Sequence, residues 1–368
     1  MRTRPFEGST GVSSVISMAK IPVGVLGATG MVGQTIVSLL EHHPWFEVTE
    51  LAASERSAGR TYEEVMDSRW STGPDIPEYA RSLKVKDCAP GLDCSVVLSA
   101  LDSSVAKDIE EAFARRGYAV SSNARNHRMD PDVPLIIPEV NADHVLLIEA
   151  QRKRRRWKGF IVTDPNCSTM QLSLVLKPLM DDFGLGEVMV TTMQSLSGAG
   201  YPGVPSMDIA DNVIPYIADE EEKLESEPLK ILGTFSNQRI RKAEFSISAQ
   251  CNRVAVRHGH TQCVSVKLTK KPGAEEIIGC LESFNPLERL GLPSAPKRPV
   301  VYNRGRDRPQ PKLDAGVEGG MASVVGRLRK CRILDYKFVV LGHNLIRGAA
   351  GAAILNAELL KARGYLDR

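Results

Sequence analysis

The strongest constraint on the fold is a glycine-rich turn that joins a predicted strand to a predicted helix. Residues 21–26 have the apolar pattern of a buried strand, Gly27-Ala28-Thr29-Gly30-Met31-Val32-Gly33 follows directly, and apolar residues then recur with helical spacing. Glycines at such a turn let the backbone approach a pyrophosphate, which the helix N-terminus then holds. The turn predicts a dinucleotide site with the binding residues Gly27, Thr29, Gly30, Met31 and Val32.

The end of the next predicted strand bears on which dinucleotide binds. This strand covers residues 46–51 and leads to Ser54, Glu55, Arg56 and Ser57. An acidic residue here usually binds the ribose 2′-hydroxyl of NAD, whereas an arginine suits the 2′-phosphate of NADP. Ser54, Arg56 and Ser57 favour NADP, and a plain polar turn remains the alternative because Glu55 lies among them.

Strands and helices continue to alternate through the first half of the chain. Residues 94–100 and 118–122 have buried-strand patterns, and Asp102 is placed to cap a helix that extends to about Arg115. This order is typical of a parallel, doubly wound sheet. We predict an α/β protein whose N-terminal domain is a Rossmann-like dinucleotide-binding unit.

The second half of the chain shows a different pattern. Strand-like runs between residues 187 and 268 are separated by a long loop and an acidic helical stretch, which favours an α+β domain with a mixed sheet. Residues 253–260 are interpreted as one strand with His258 and His260 on the same face. A His-x-His pair without a third suitably spaced ligand does not predict a metal site.

The last segment is predicted to return to the first domain. Asn344 is a good helix N-cap, Gly364 is a good helix stop, and Gly348 and Gly351 between them would permit close packing. The predicted organisation is an N-terminal extension over residues 1–20, an NADP-binding domain over residues 21–162 completed by residues 343–368, and a catalytic and oligomerisation domain over residues 163–342.

Composition excludes several classes of protein. With 47 Lys and Arg against 44 Asp and Glu, the net charge of +3 gives no reason to expect a nucleic-acid partner. No apolar run reaches the roughly 18 residues that a membrane helix needs. Seven cysteines without close paired spacing fit a reducing cytoplasm better than a disulfide framework or a zinc module. The basic run at residues 152–156 is interpreted as a solvated helix end or loop.

Cys167 is the best candidate for a reactive side chain. It lies in Asp164-Pro165-Asn166-Cys167-Ser168-Thr169, between an apolar run at residues 159–162 and an apolar-periodic segment that begins at Met170. This junction predicts a helix N-terminus, where free N–H groups and the helix dipole favour an anion, so we expect a lowered pKa for the thiol. For a cysteine considered alone, a small buried residue is the alternative.

Taken together, the motifs resemble those of aspartate-semialdehyde dehydrogenases of the archaeal and fungal type. Each motif alone is common, and their combination along nearly the whole chain is specific. The resemblance is carried by residues 27–33, 54–59, 128–139, 165–169, 194–200 and 259–261.

The resemblance implies a role for each matching residue. Cys167 would form a thioester with the substrate, and His260 would act as general acid and base. Arg253 matches the arginine that clamps the substrate carboxylate, a task that suits a planar, bidentate group. The other implied roles are orientation of the acyl group by Gln194, ammonium binding by Glu227, phosphate binding by Lys230, Arg128 and Asn123, and contact with nicotinamide by Ser197, Gly198 and Asn344.

The implied reaction is the reductive dephosphorylation of L-4-aspartyl phosphate by NADPH to L-aspartate 4-semialdehyde and phosphate. This step leads to threonine, methionine, isoleucine and lysine, and the family forms homodimers or homotetramers. The chain departs from the family pattern at Asp102, at the basic run and at His343, where an aspartate is usual.

Three other functions remain open from the sequence. Malonyl-CoA reductase and N-acetyl-glutamyl-phosphate reductase share the thiol chemistry, but their substrates have no free ammonium group for Glu227 to bind. A third possibility is a dinucleotide-sensing protein without catalytic activity, in which Cys167 is only structural.

Overall fold

The computed structural model describes residues 19–73 and 75–367, which form two large sheets with helices packed on them. The predicted extension over residues 1–20 lies outside this range except for its last two residues. Within the described part, no helix is both long enough and apolar enough to cross a membrane.

The first sheet contains the four strands that the sequence predicted and two more, at residues 85–87 and 160–163. They are β1 (Ile21–Leu26), β2 (Phe46–Ala53), β3 (Val85–Asp87), β4 (Val96–Ser99), β5 (Ala119–Ser122) and β6 (Phe160–Thr163). All neighbours are parallel, in the order β3-β2-β1-β4-β5-β6. The strand order reverses between β1 and β4, and ligands of such sheets bind beyond the carboxyl ends at this point.

Helices flank both sheets and support the loops of the site. Asp102 caps α4 as predicted, since its carboxylate accepts a hydrogen bond of 2.8 Å from the Ser104 N–H. The basic run forms the end of α6, where Arg155 pairs with Asp130 and Asp132 at 2.7 Å. The helices are α1 (Met31–Leu39), α2 (Tyr62–Met66), α3 (Glu78–Arg81), α4 (Ser103–Arg115), α5 (Pro138–Asn141), α6 (Leu147–Arg155), α7 (Cys167–Phe183), α8 (Ser206–Ile209), α9 (Glu220–Ile231), α10 (Ala274–Ser283), α11 (Pro311–Asp314) and α12 (Gly351–Ala362).

The second sheet is mixed, as predicted, and one of its faces is covered. Apolar residues of α7, α9 and α10 pack against that face, while the opposite face is open in the single chain. The remaining strands are β7 (Leu185–Gln194), β8 (Thr234–Ser236), β9 (Arg239–Arg241), β10 (Ser246–Arg253), β11 (His260–Leu268), β12 (Val300–Asn303), β13 (Ser323–Lys330) and β14 (Tyr336–Gly342). The sheet order is β10-β7-β11-β14-β13-β12, and β8 and β9 form a separate hairpin.

The interpretation of residues 253–260 as one strand is wrong. Strand β10 ends at Arg253 and β11 begins at His260, and the turn between them contains Gly259 with a φ of +94°. The two histidines therefore point to different places. The ring of His258 stacks on that of His343, with centroids 5.4 Å apart, whereas His260 is fully buried.

The C-terminal helix also begins differently from the prediction. A π-helical turn at Ile346–Ala350 precedes α12, and Asn344 does not cap it because its side chain is bonded to other segments. Gly364 follows α12 with a φ of +75°, in agreement with the predicted stop. Residues of α12 share one apolar core with β1, β2 and β4.

A buried ion pair holds the π-helical turn in place. Arg347 donates two hydrogen bonds to the carboxylate of Glu139 on α5, at 2.8 and 2.7 Å, and neither side chain is exposed. The next residue, Gly348, packs directly on Cys167, because a Cβ at position 348 would lie 2.6 Å from the cysteine Cβ. The chain thus returns from the second sheet to the start of α7.

Candidate active site

Cys167 is the first residue of α7, and the prediction of a helix N-terminus is confirmed. The helix starts there because Asn166 is an N-cap: its side-chain oxygen accepts from the N–H groups of Ser168 and Thr169, at 2.9 and 3.2 Å. Strand β6 ends just before this cap at the carboxyl edge of the first sheet. The thiol therefore lies where the two sheets meet.

His260 is the residue that lies against the thiol. Its Nε2 is 3.1 Å from the Cys167 sulfur, and the ring is fully buried at the first position of β11. On the other side of the ring, Nδ1 accepts a hydrogen bond of 3.0 Å from the Ser195 main-chain N–H. The structure thus brings together the nucleophile and the histidine that the resemblance implied.

The pKa of the Cys167 thiol is raised to about 12, so the expected lowering is wrong for the protein without substrate. Burial is the main cause and the Glu220 carboxylate adds to it, while Arg128, Arg253 and the Ser168 N–H act in the opposite direction. Asn166 already occupies two N–H groups of the first helical turn, which weakens the effect that the prediction relied on. Burial also lowers the pKa of His260 to about 3, helped by Arg253 and His343.

Arg253 faces the same pocket from the end of β10. Its Nη1 donates to the Ser195 carbonyl at 2.7 Å, and within the described residues its Nη2 has no hydrogen-bond partner. A Cβ at Gly198 would lie 2.9 Å both from Arg253 Nη1 and from the His260 ring, so only glycine fits there. The loop that contains Ser197 and Gly198 therefore packs against both Arg253 and His260.

The structure contradicts the predicted phosphate contact of Lys230. Its ammonium donates to the carbonyls of Arg128, Asp130 and Val133, at 2.7 to 2.8 Å, which uses all three of its N–H donors. Burial lowers the pKa of Lys230 to about 8. Lys230 thus supports the loop that carries Arg128 and has no donor left for phosphate.

The predicted ammonium ligand Glu227 is also engaged elsewhere. One carboxylate oxygen accepts from Arg128 at 3.0 Å, the other accepts from the Asn166 N–H at 2.7 Å, and only 2% of the residue is exposed. Arg128 is held further by the Asn123 carbonyl at 2.8 Å. Its Nε and the side-chain oxygen of Asn123 are buried without partners in the described structure, which marks a place where a ligand or water completes the hydrogen bonding.

Glu220 and Lys223 are the residues that the sequence reasoning missed. Glu220 is buried beside the thiol, where one oxygen accepts from the side-chain amides of Asn166 and Gln194, at 2.5 and 3.2 Å. Its other oxygen pairs with Lys223 at 3.1 Å. The same Glu-x-x-Lys spacing occurs at Glu227, seven residues later and on the same side of α9. The sequence therefore contains this motif twice, and the prediction used the second copy.

Asn344 connects the cofactor side of the site to the histidine. Its side-chain oxygen accepts from the Gly259 N–H and the Ser195 hydroxyl, at 2.9 and 3.1 Å, and its amide donates to the Ser197 hydroxyl at 2.9 Å. The predicted nicotinamide neighbours therefore lie in one network with His260.

The first sheet offers a groove that fits a dinucleotide. Gly27 has a φ of +74°, and a Cβ at Gly33 would lie 2.3 Å from the Gly27 carbonyl oxygen, so both positions require glycine. The N-terminus of α1 has no side-chain cap, which leaves its N–H groups for a phosphate. Ser54 and Arg56 are exposed just beyond β2, and Arg56 has no partner in the described part of the chain. No group of three or more metal-ligating side chains occurs in that part.

Two family models match the chain. Residues 22–148 match the NAD binding domain of semialdehyde dehydrogenases, and residues 176–347 match their dimerisation domain. The aspartate-semialdehyde dehydrogenase of Archaeoglobus fulgidus is 51% identical over 339 residues, which cover 92% of this chain and 97% of the relative.

Solved structures with these names share the fold. The crystal structure of aspartate semialdehyde dehydrogenase with NADP from Candida albicans aligns with a TM-score of 0.86 and 43% identity, over 94% of this chain and 99% of the other. Aspartate semialdehyde dehydrogenase II complexed with ASA from Vibrio cholerae aligns with a TM-score of 0.75 and 28% identity, over 95% and 100% of the two chains. The chain is thus more similar to the archaeal and fungal proteins.

Replacing Glu220 by Gln is expected to lower the pKa of Cys167, because it removes a negative charge beside the sulfur. The expected change is about one unit, the usual size for one nearby like charge. It can be measured as the pH dependence of alkylation by iodoacetamide, with the modified residue identified by mass spectrometry. Glu222→Gln is the matched control, since Glu222 is exposed on the same helix. An unchanged profile in Glu220→Gln would contradict the proximity of this carboxylate.

Proposed function

The chain belongs to the family of aspartate-semialdehyde dehydrogenases, and on that premise we propose how its residues perform the family's reaction. The enzyme converts L-4-aspartyl phosphate to L-aspartate 4-semialdehyde and phosphate with NADPH, on the route to threonine, methionine, isoleucine and lysine. The observation that carries the assignment of residues is the distance of 3.1 Å between the Cys167 sulfur and His260 Nε2, in a pocket that contains Arg253, Arg128 and Glu220.

Charged groups around Cys167 match the three charged ends of the substrate. Arg253 binds the carboxylate through its free Nη2, Glu220 binds the ammonium group, and Arg128 binds the phosphate. Gln194 is held by Glu220 and orients the acyl group. This assignment replaces Glu227 and Lys230, which support the pocket from behind.

The reaction begins when the Cys167 sulfur attacks the acyl carbon. A sulfur–carbon bond forms, the carbon–oxygen bond to phosphate breaks, and the phosphate leaves with that electron pair. The cofactor supplies the hydride that reduces the resulting thioester. The chain holds the cofactor at the turn around Gly27 and at Ser54, Arg56 and Ser57, and Asn344 and Ser197 line the end that faces the thiol.

The division of labour follows the two sheets. We assign residues 21–162 with 343–368 to cofactor binding, and residues 163–342 to catalysis and oligomerisation. All seven cysteines are free, which supports a reducing, cytoplasmic location.

The buried carboxylate of Glu220 supports a substrate with a free ammonium group. Malonyl-CoA and N-acetyl-glutamyl phosphate lack such a group, and each would leave Glu220 paired with Lys223 alone. The contact between the Cys167 thiol and His260, with Arg253 bonded to the nearby Ser195 carbonyl, also supports catalysis over a purely structural cysteine.

Cys167→Ala is expected to abolish phosphate-dependent reduction of NADP by aspartate semialdehyde, by more than about a thousandfold, because no other group can carry the thioester. Arg253→Lys is expected to raise KM for the semialdehyde at least about tenfold, since an ammonium lacks the planar fork that bonds the Ser195 carbonyl with one nitrogen and the substrate carboxylate with the other. Both effects are read as absorbance of NADPH.

Cys280→Ala is the control for Cys167→Ala, because Cys280 lies on α10 in the second domain. Unchanged turnover in Cys167→Ala would refute thiol catalysis. A wild-type protein that is inactive with aspartate semialdehyde but reduces malonyl-CoA with NADPH would establish the alternative function.

Arg56→Ala is expected to raise KM for NADP by about tenfold, the size of one charge-assisted contact, and to leave KM for NAD unchanged. The physical reason is that only NADP carries the 2′-phosphate. Steady-state kinetics with both cofactors provide the measurement, and Glu55→Ala is the neighbouring exposed control. An equal loss with both cofactors would place Arg56 outside the phosphate site.

The match to a dimerisation domain supports an oligomer, and we propose a homodimer or homotetramer built on the open face of the second sheet. On that face Met189 of β7 is 52% exposed beside Ser265 of β11, Cys263 of β11 is also exposed, and the next pair along the two strands is the ion pair of Glu187 with Lys267. A partly apolar face of this kind is typical of an interface with a second copy.

Met189→Glu is expected to release monomers with the chain mass of 40.2 kDa, because it places a carboxylate from each copy in the proposed interface without a partner. Light scattering after gel filtration measures the mass. Ile333→Glu is the matched control, since Ile333 is 84% exposed in the connection between β13 and β14. An assembly that Met189→Glu leaves intact would move the interface elsewhere.

A further inference from the structure

A second pocket, of about 350 Å³, lies next to the loop that contains Ser197 and Gly198. It is formed by Thr35 of α1, the segment after α2, the turn between β10 and β11, and the segment before α12. None of its described lining residues has been assigned above to the substrate or the cofactor. A pocket of this size can hold a small organic ligand.

The charged and titratable groups of this pocket are all basic. Arg257 is exposed, and its guanidinium has no hydrogen-bond or ion-pair partner in the described part of the chain. Burial and Arg257 lower the pKa of His258, while burial and His258 lower the pKa of His343 to about 4. None of the described lining residues is acidic. An anionic ligand would supply the negative charge that the pocket lacks.

Several hydrogen-bond donors of the pocket are not satisfied by the chain. Nδ1 of His343 accepts from the N–H groups of Leu345 and Ile346, at 3.3 and 3.2 Å, so the neutral ring carries its proton on Nε2. Neither this Nε2 nor that of His258 has a partner within residues 19–73 and 75–367. The Thr72 hydroxyl is also buried without a partner there, which indicates that a ligand or water completes the hydrogen bonding.

These donors favour a phosphate group over other anions. A guanidinium, two imidazoles and a hydroxyl, contributed by three separate segments, suit a head with three oxygen atoms better than a planar carboxylate with two. Leu345 and Ile346 also line the pocket and offer apolar contact to the rest of a ligand. A free ammonium group would find no carboxylate among the described lining residues, which disfavours an amino acid.

Ser197 connects this pocket to the cofactor side of the active site. Its N–H donates to the Arg257 carbonyl at 3.2 Å, and its hydroxyl is 2.9 Å from His258 Nδ1 and 2.9 Å from the Asn344 amide nitrogen. A ligand held by Arg257 and His258 would therefore restrain the loop of Ser197. A loop that is ordered in advance costs less to order when the cofactor binds.

We propose that this pocket is a second ligand site, which binds a phosphate monoester with a small, partly apolar body and thereby increases the affinity of the enzyme for NADP. The residues that hold the phosphate are Thr72, Arg257, His258 and His343. The effect on NADP rests on the proposed function, because it requires Ser197 to lie beside the cofactor. The binding of the phosphate monoester does not depend on that assignment.

Phenyl phosphate is the probe, because it joins a phosphate group to a small apolar ring. Isothermal titration calorimetry on the full chain should show a binding step that Arg257→Gln weakens at least about tenfold, the size of one charge-assisted contact. Thr72→Val should weaken the same step about three- to tenfold, as for one neutral hydrogen bond. Arg239→Gln is the matched control, since Arg239 is exposed on β9.

The absence of binding, or binding that Arg257→Gln leaves unchanged, would overturn the proposal. Any phenyl phosphate bound at the active site contributes a step that does not depend on Arg257. Benzoate carries a carboxylate on the same ring and is expected to bind in the Arg257-dependent step at least about tenfold more weakly. Equal affinity for benzoate would refute the assignment to a phosphate.

The coupling to the cofactor is measured in the same titrations. With saturating NADP, the Kd of phenyl phosphate in the Arg257-dependent step should fall about fivefold, and phenyl phosphate should lower the Kd of NADP by the same factor, because the coupling is reciprocal. An unchanged or higher Kd would contradict the coupling. An active enzyme without the Arg257-dependent step would refute the second site alone. A protein that shows this step but does not turn over aspartate semialdehyde would count against the proposed function alone.

Discussion

The contact between the first turn of α7 and the backbone at Gly348 determines how the two sheets meet. The Cβ of Cys167 occupies the space that any side chain at position 348 would need, so only glycine fits at that position. The passing segment is a π-helical turn, and the buried pair of Arg347 and Glu139 anchors it to α5. Buried charges of this kind are stable only with well-placed partners, so the anchor tolerates little displacement. The position of the thiol relative to both sheets follows from this contact.

Burial of Cys167 disfavours the reactive thiolate, and nearby positive charges partly offset this effect. The pocket that excludes water also raises the pKa of Cys167, and Glu220 raises it further, whereas Arg128 and Arg253 lower it. Each of these three groups has a complementary charge on the proposed substrate. When the ammonium group of the substrate neutralises Glu220, one of the groups that disfavour the thiolate is removed. By the same reasoning, the substrate phosphate and carboxylate offset Arg128 and Arg253, so the pKa of the thiol in the complex depends on all three contacts together.

The sequence predicted the elements better than the contacts between them. Strand β1, the turn at Gly27 and the helix start at Cys167 were predictable because each depends on local patterns of apolar residues, glycines and caps. The break between Arg253 and His260 was not predictable, because residues 254–258 have a strand-like composition that gives no sign of the positive φ at Gly259. The sign of the pKa shift at Cys167 was missed for a related reason, since burial depends on what packs over the helix.

The two Glu-x-x-Lys pairs on α9 also show that local sequence patterns do not predict which residues line the pocket. Positions seven residues apart lie on one side of a helix, so periodicity alone cannot rank them. The pair at Glu227 lies deeper, where its lysine can reach only main-chain carbonyls and its carboxylate meets Arg128. The pair at Glu220 lies nearer the Cys167 sulfur, where the Glu220 carboxylate raises the pKa of the thiol. The deeper pair is what holds Arg128 and the Asn166 cap in position, so the binding pocket depends on a second set of the same residues placed behind it.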